Sequence, residues 1–246
     1  MGQGAARRPV AGLVRWTVSA LPSPRRTPVT FTYLAILLVT TAVLYLVGAG
    51  TAERLLDASS TNLDQLTSNP VRALLTSGMW LPGRHWLPYA LGFAVSLAPL
   101  ERRLGGWRTM LVAGTGHVLV SLLTEGAVAV GIGLHWLPAA QASQQDVGAS
   151  YLLMTSIGAM LGLLPTVVRW PVLATAVVSL AVPVIADPDM TAVGHLLCLG
   201  VGVGFWLLLR RRGVLGTMWP GALPWVRLRT VRRRAEVVTA DAEAAP

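Results

Sequence analysis

Long apolar runs, broken by short polar or proline-bearing stretches, set the pattern of this chain. The first, Phe31–Gly50, has about 20 residues and is long enough to cross a hydrocarbon core about 30 Å thick. Further runs are Trp86–Leu100, Thr109–Leu123, Val147–Leu164, Trp170–Ala186 and Met190–Leu209. Tryptophans at their edges (Trp80, Trp86, Trp107 and Trp170) suit the membrane–water interface. Gly126–Pro138 is also apolar but short, and reads as an interfacial or re-entrant piece instead of a seventh span. The first run is preceded by about 30 residues, long for the basic region of a secretory signal, and more apolar runs follow it. It therefore reads as an uncleaved helix.

Composition agrees with that pattern. Of 246 residues, 53% are hydrophobic and only 13% charged, where soluble domains carry about a quarter. The mean hydropathy is +0.58. Cys198 is the only cysteine, so neither an internal disulfide nor a cysteine metal cluster can form. It lies in an apolar run and reads as a small buried hydrophobe. The net charge of +9 comes from 20 basic residues, all arginine. These flank the apolar runs instead of forming one basic domain, so they speak for topology and against nucleic-acid binding.

With six spans and the N-terminus inside, residues 1–30, 101–108, 165–169 and 210–246 are cytoplasmic. They hold 5, 3, 1 and 8 arginines, which is 17 of 20. The external loops hold Arg54, Arg72 and Arg84 with seven of the eleven acids. The opposite orientation would break the positive-inside rule at every loop. The expected fold is thus an all-α polytopic membrane protein of six transmembrane helices, with both termini cytoplasmic. Its parts are a basic tail over 1–30, a six-helix domain over 31–209 and an Arg-rich tail over 210–246. The tails are expected to attract anionic lipid headgroups, and Val237–Pro246 reads as disordered.

Polar residues inside apolar spans need partners or a cavity. On this topology His85 opens span two, Ser150 lies four residues past Asp146 in span four, and His195 lies six past Asp189 in span six. At 1.5 Å per residue, Ser150 and His195 stand roughly 6–9 Å along their helices from the flanking acids. A serine and a histidine at matched depth suit a nucleophile and its general base. The competing reading is a serine bonded to its own helix or packed at an interface. Gly158 with Gly162 on span four, and Gly200 with Gly204 on span six, beside Gly194 and Gly202, favour close approach of those two helices.

Four segments resemble the rhomboid family of intramembrane serine proteases. They are Arg72-Ala73-Leu74-Leu75-Thr76-Ser77 followed by His85, Leu100-Glu101-Arg102-Arg103-Leu104-Gly105, Gly148-Ala149-Ser150, and Gly194-His195 with the glycines beyond. The likeness covers roughly residues 31–209 and implies a six-helix rhomboid-like bundle. It implies that Ser150 is the nucleophile and His195 the base, with His85 and the Ser150 N–H stabilising the oxyanion. It also implies cleavage of transmembrane segments of other proteins, with no cofactor. Two positions depart from the family pattern. Tyr151 stands where glycine usually follows the serine, and Tyr89 where an asparagine follows the span-two histidine by four. Tyr151 is expected to crowd the site if its ring lies between the dyad partners. Tyr89 removes an amide donor, a type of loss worth about 3–4 kcal/mol in an oxyanion hole.

An alternative is a protease-inactive rhomboid-like protein that binds transmembrane segments and affects their folding, trafficking or degradation. A small-solute transporter fits less well, because its polar groups should reach the midplane. His117 reads as a polar contact of Thr115 or Ser121, and His135-Trp136 as an interfacial pair. Four scattered histidines argue against a metal site. Glu125 reads as an anchor at the membrane edge. The expected location is the cell inner or plasma membrane.

Overall fold

The computed structural model describes residues 21–81, 83–186 and 189–212. The arginine cluster from Arg227 to Arg234 and most of both tails lie outside the described residues. Among the described residues every regular element is helical: α1 (Pro28–Leu46), α2 (Ala49–Ala58), α3 (Leu63–Ser68), α4 (Pro70–Ser77), α5 (Trp86–Val95), α6 (Leu97–Leu104), α7 (Gly106–Gly133), α8 (Ala149–Met160), α9 (Thr166–Ala186) and α10 (Met190–Arg211). α1, α7, α9 and α10 are each long and apolar enough to cross a membrane, and α8 with its 3₁₀ extension Leu161–Leu163 is a shorter apolar helix. The architecture is that of a multi-pass membrane protein.

Local chemistry sets the boundaries. Pro99 cannot donate to the backbone one turn back, so the second apolar run breaks into α5 and α6 at Ser96. At the break the Gly92 carbonyl accepts from both the Ser96 N–H, at 3.0 Å, and the Ser96 hydroxyl, at 2.7 Å. Gly105, with φ of +80°, turns the chain from α6 into α7, a conformation that favours glycine. Residues from Gly126 onward do not form the expected interfacial or re-entrant piece. They continue α7 as far as Gly133, since no proline or exposed charge interrupts the run between Leu123 and Gly133. The helix stops where His135 adopts a left-handed φ of 59°, three residues before Pro138.

The Leu100–Gly105 segment has a structural job in this chain. α1 starts with Thr27, whose side chain does not cap it. Glu101, buried in α6, does so instead. Its carboxylate accepts from the Val29 and Thr30 N–H groups, both at 2.8 Å, and from the Thr30 hydroxyl at 2.7 Å. An anion at a helix N-terminus satisfies orphan donors and complements the dipole. Arg102 donates to the Leu21 carbonyl at 3.2 Å. The start of α1 is thus fastened to the α6–α7 corner.

α8 is the centre of the bundle, packed against α5, α6, α7 and α10. Its contact with α10 is the most extensive in the fold, and glycine makes it possible. A Cβ on Gly202 would stand 2.2 Å from the Thr155 carbonyl oxygen, and one on Gly158 would stand 2.3 Å from that of Leu199. The expectation for Gly200 and Gly204 is corrected, because both face open space. Gly194, Cys198 and Gly202 recur every fourth residue on the buried face of α10, with Cys198 fully buried as expected. α9 is attached more loosely, and only Arg169 of its residues is buried. That guanidinium donates to the carbonyls of Leu161 at 2.8 Å and Leu164 at 2.6 Å, and stacks 4.7 Å from the Trp206 ring.

Candidate active site

Ser150 lies in the first turn of α8, which two contacts place. The Gly148 N–H donates to the Ser77 carbonyl at 3.1 Å. Two residues earlier, Asp146 is held by the loop ahead of α3: its N–H donates to the Ser60 hydroxyl at 2.8 Å, and the Thr61 N–H donates to its carbonyl at 2.9 Å. His195 lies in the second turn of α10, whose N-terminus is capped by the Asp189 carboxylate accepting from the Ala192 N–H. The close α8–α10 approach brings His195 Nε2 to 2.8 Å from Ser150 Oγ. The two groups that sequence spacing placed at one depth are in direct hydrogen-bond contact.

Tyr151 does not come between them. Its ring is fully buried and stands edge-on to His195, centroids 5.5 Å apart, and edge-on to His117 at 6.4 Å. Room for it comes from Gly194, where a Cβ would lie 2.2 Å from Tyr151 Oη. Tyrosine after the serine and glycine before the histidine are therefore one matched pair. The crowding expected of this residue is absent because its ring turns toward α10 and α7, behind the imidazole.

His117 is buried, but not on Thr115 or Ser121. Thr115 is exposed and the Ser121 hydroxyl is unpartnered. The imidazole instead crosses to α4, with Nε2 2.9 Å from the Leu74 carbonyl and 3.2 Å from Ser77 Oγ. A carbonyl only accepts, so Nε2 carries the proton. Gly148 leaves the ring its space, since a Cβ there would be 2.0 Å from Cε1. The Arg72–Ser77 segment thus supplies the partners of His117, and His117 backs the loop that leads to Ser150.

His85 is exposed just before α5, preceded by Arg84 in a left-handed conformation with φ of 55°. Among the described residues no hydrogen bond joins His85 to Ser150 or His195. Tyr89 is half-buried and packs on the apolar cluster around Leu37, Phe93 and Ala149, without a side-chain hydrogen bond. His135 is exposed, next to the largely exposed Trp136.

A polar cluster stands beside the dyad. Glu125, expected as a membrane-edge anchor, is only 6% exposed and faces inward. Together with Asp146, 5% exposed, and Tyr151, it lines a cavity of about 10 Å³, room for a single water. Among the described residues Glu125 Oε2, Asp146 Oδ1 and Tyr151 Oη make no hydrogen bond of standard geometry, but the Tyr151 hydroxyl lies close enough to Asp146 to favour its ionised form. Burial pushes the Asp146 carboxyl up to about 6, against the opposing effect of the Thr61 hydroxyl. The spacing from Glu125 to Asp146 gives no sign of this meeting. Only the long α7, which carries Glu125 up to the loop before Ser150, creates it.

The model for the family described as "Rhomboid-like protein" matches residues 24–214. The chain is a member of the rhomboid-like protein family. No curated protein and no solved structure matches it. Within the rhomboid-like framework the Ser150–His195 pair resembles a catalytic dyad. Among the described residues no group of three or more His, Cys, Asp or Glu side chains is arranged to hold a metal ion.

Proposed function

We propose that this rhomboid-like protein is an intramembrane serine peptidase that cleaves transmembrane segments of other membrane proteins. The observation that carries this reading is the 2.8 Å contact of His195 Nε2 with Ser150 Oγ. In the reaction Nε2 takes the hydroxyl proton as Oγ attacks the scissile carbonyl, then delivers it to the leaving amine. Water repeats the cycle on the acyl-enzyme. Ser150 lies in the first turn of α8, where its own N–H, unlike those of Tyr151 and Leu152 that donate to the Gly148 carbonyl, has no intrahelical acceptor and is available to developing negative charge. The resemblance assigns His85 a share of that oxyanion stabilisation, which requires the loop 83–85 to turn inward from its exposed position.

The supporting topology has six spans with both termini cytoplasmic, which puts the dyad on the outer side. Its basis is the arginine distribution and the six apolar helical segments. The substrates are single-span proteins that enter from the lipid, beside the loosely attached α9.

A second reading has its own observation. Among the described residues the only side-chain partner of the Ser150 hydroxyl is His195 Nε2, no second side chain stands ready to donate to an oxyanion there, and Tyr89 makes no hydrogen bond. On this reading the chain binds transmembrane segments without cutting them. A serine-reactive fluorophosphonate separates the two. Peptidase chemistry gives labelling of the wild type that Ser150→Ala abolishes and His195→Ala reduces at least a hundredfold, with matching loss of cleavage of single-span substrates. Equal labelling of wild type and Ser150→Ala, or none of either with no cleavage, leaves the binding reading.

A further inference from the structure

A large apolar groove lies on the side of the bundle formed by α1, α4 and α7. Its volume is about 510 Å³, in the range of ligand sites. α1 lines it from Pro28 to Ile36 and α7 from Met110 to Val118, a rise of eight residue steps on each helix, so it runs about 12 Å along the membrane normal. That is close to the depth of one leaflet of a core about 30 Å thick. Its upper end is closed by Leu74 and Gly78 at α4, where Tyr33 donates to the Gly78 carbonyl at 2.6 Å.

The lower end carries charge. Arg26 lies two residues before Pro28, and Arg108 two before Met110, and both are exposed. The two chain segments meet there, because Glu101 caps α1 and a Cβ on Gly106 would lie 2.8 Å from the Val29 side chain. Trp107, 70% exposed, sits at the same corner as an interfacial residue. An apolar slot one leaflet deep, ending at guanidiniums and an interfacial tryptophan, matches an amphiphile with an acyl chain and an anionic head.

We propose that this groove is a specific site for an anionic phospholipid, one acyl chain lying between α1 and α7 and the phosphate held by Arg26 and Arg108. The groove includes neither Ser150 nor His195, though His117 at its upper end also backs the loop before Ser150, and the site does not depend on peptidase activity. Guanidiniums bind phosphate in fixed, bidentate geometry. A zwitterionic lipid offers the same phosphate with a cationic group beside it, and is bound more weakly.

Gly114 provides the decisive variant. It lines the groove, and a Cβ there meets nothing within 4 Å, so Gly114→Phe has an open start for a ring that occupies the slot. The full-length protein is reconstituted in nanodiscs of phosphatidylcholine containing trace diazirine-tailed phosphatidylglycerol or diazirine-tailed phosphatidylcholine, and adducts are mapped by mass spectrometry. The wild type should give adducts on the groove faces of α1 and α7, at least fivefold more with the anionic probe. Gly114→Phe should lower them at least fivefold, as should Val118→Phe at the other end, with unchanged elution and melting of the variants. Arg26→Gln with Arg108→Gln should bring the anionic yield down to the neutral one. Adducts spread evenly over the lipid-facing surface, or insensitive to both phenylalanine variants, overturn the proposal. So does equal yield of the two probes on the wild type, or displacement of the probe by a single-span peptide at equimolar ratio, which would make the groove a protein-segment site.

Discussion

Two buried acidic sites, at opposite ends of the bundle, use their carboxylates in contrary ways. At one end Glu101 takes three donors, two of them the N–H groups at the start of α1. At the other, Glu125 and Asp146 each keep an unpartnered oxygen beside Tyr151, one ring away from His195. A saturated carboxylate fixes the backbone around it and stabilises the fold. A pair of carboxyls buried side by side costs stability where it stands, because ionising either one away from bulk water is expensive. The first kind of site holds the helices together. The second is tolerated next to the groups that carry the chemistry, where strain and unmet hydrogen bonds tend to collect.

The largest effect should come from breaking the saturated end. Glu101→Ala leaves the half-buried Val29 N–H, the buried Thr30 N–H and the Thr30 hydroxyl unpaired, and charge-assisted hydrogen bonds are worth more than neutral ones. We expect a loss of roughly 3 kcal/mol or more, read by unfolding in mixed micelles. Glu101→Gln keeps one acceptor oxygen and should recover part of it. If the alanine variant unfolds like the wild type, the clamp is not what fastens α1.

At the other end the sign reverses. The Asp146 carboxyl titrates near 6 in the folded protein, above the 3.8 of the free side chain, with burial the main cause. Between those values the folded state binds more protons than the unfolded one, so stability falls as pH rises through about 4 to 6. Above that window ionised Asp146 costs up to about 3 kcal/mol, a shift of about two units at 1.36 kcal/mol each. Asp146→Asn should therefore melt higher than the wild type at pH 7.5 and lose that part of the pH dependence, while near pH 4 the two converge. A variant that is less stable at pH 7.5 would show that the ionised carboxylate is satisfied after all, and the contrast with Glu101 would vanish.

What could be read from the sequence, and what could not, divides along the same line. The apolar runs and the arginine flanks follow from hydropathy and charge, and helical rise puts Ser150 and His195 at one depth, all local quantities; their pairing as nucleophile and base comes from the family resemblance. The extent of α7 is not legible in the sequence, because Glu125 resembles the end of a span until its inward orientation is known. His117 was given neighbours on its own helix, yet its partners come from α4, about 40 residues earlier in the chain. Gly200 and Gly204 fit a packing motif by spacing, but the face of α10 that meets α8 carries Gly194, Cys198 and Gly202. Which face a helix buries depends on its neighbours, and no single segment encodes that. Tyr151 looked like an obstruction for the same reason, its counterpart Gly194 being 43 positions away.

The smallest expected effect tests that last pairing. A Cβ at Gly194 would stand 2.2 Å from Tyr151 Oη and 2.5 Å from Cζ, and the ring has nowhere to retreat among Val120, Cys198 and the two histidines. Overpacking of this kind costs about 1–3 kcal/mol. Gly200→Ala, on the open face of the same helix, should be neutral within about 1 kcal/mol or slightly stabilising, because alanine is the better helix former. Residues in contact couple, so the penalty of Gly194→Ala should disappear in a Tyr151→Gly background while that of Gly200→Ala stays unchanged. Fluorophosphonate labelling should follow the same order, reduced in Gly194→Ala as the displaced ring pushes His195 away from Ser150, and unaffected in Gly200→Ala. Equal behaviour of the two glycine variants would mean that Tyr151 does not hold the imidazole, and that the strained end of the molecule reaches its dyad by another route.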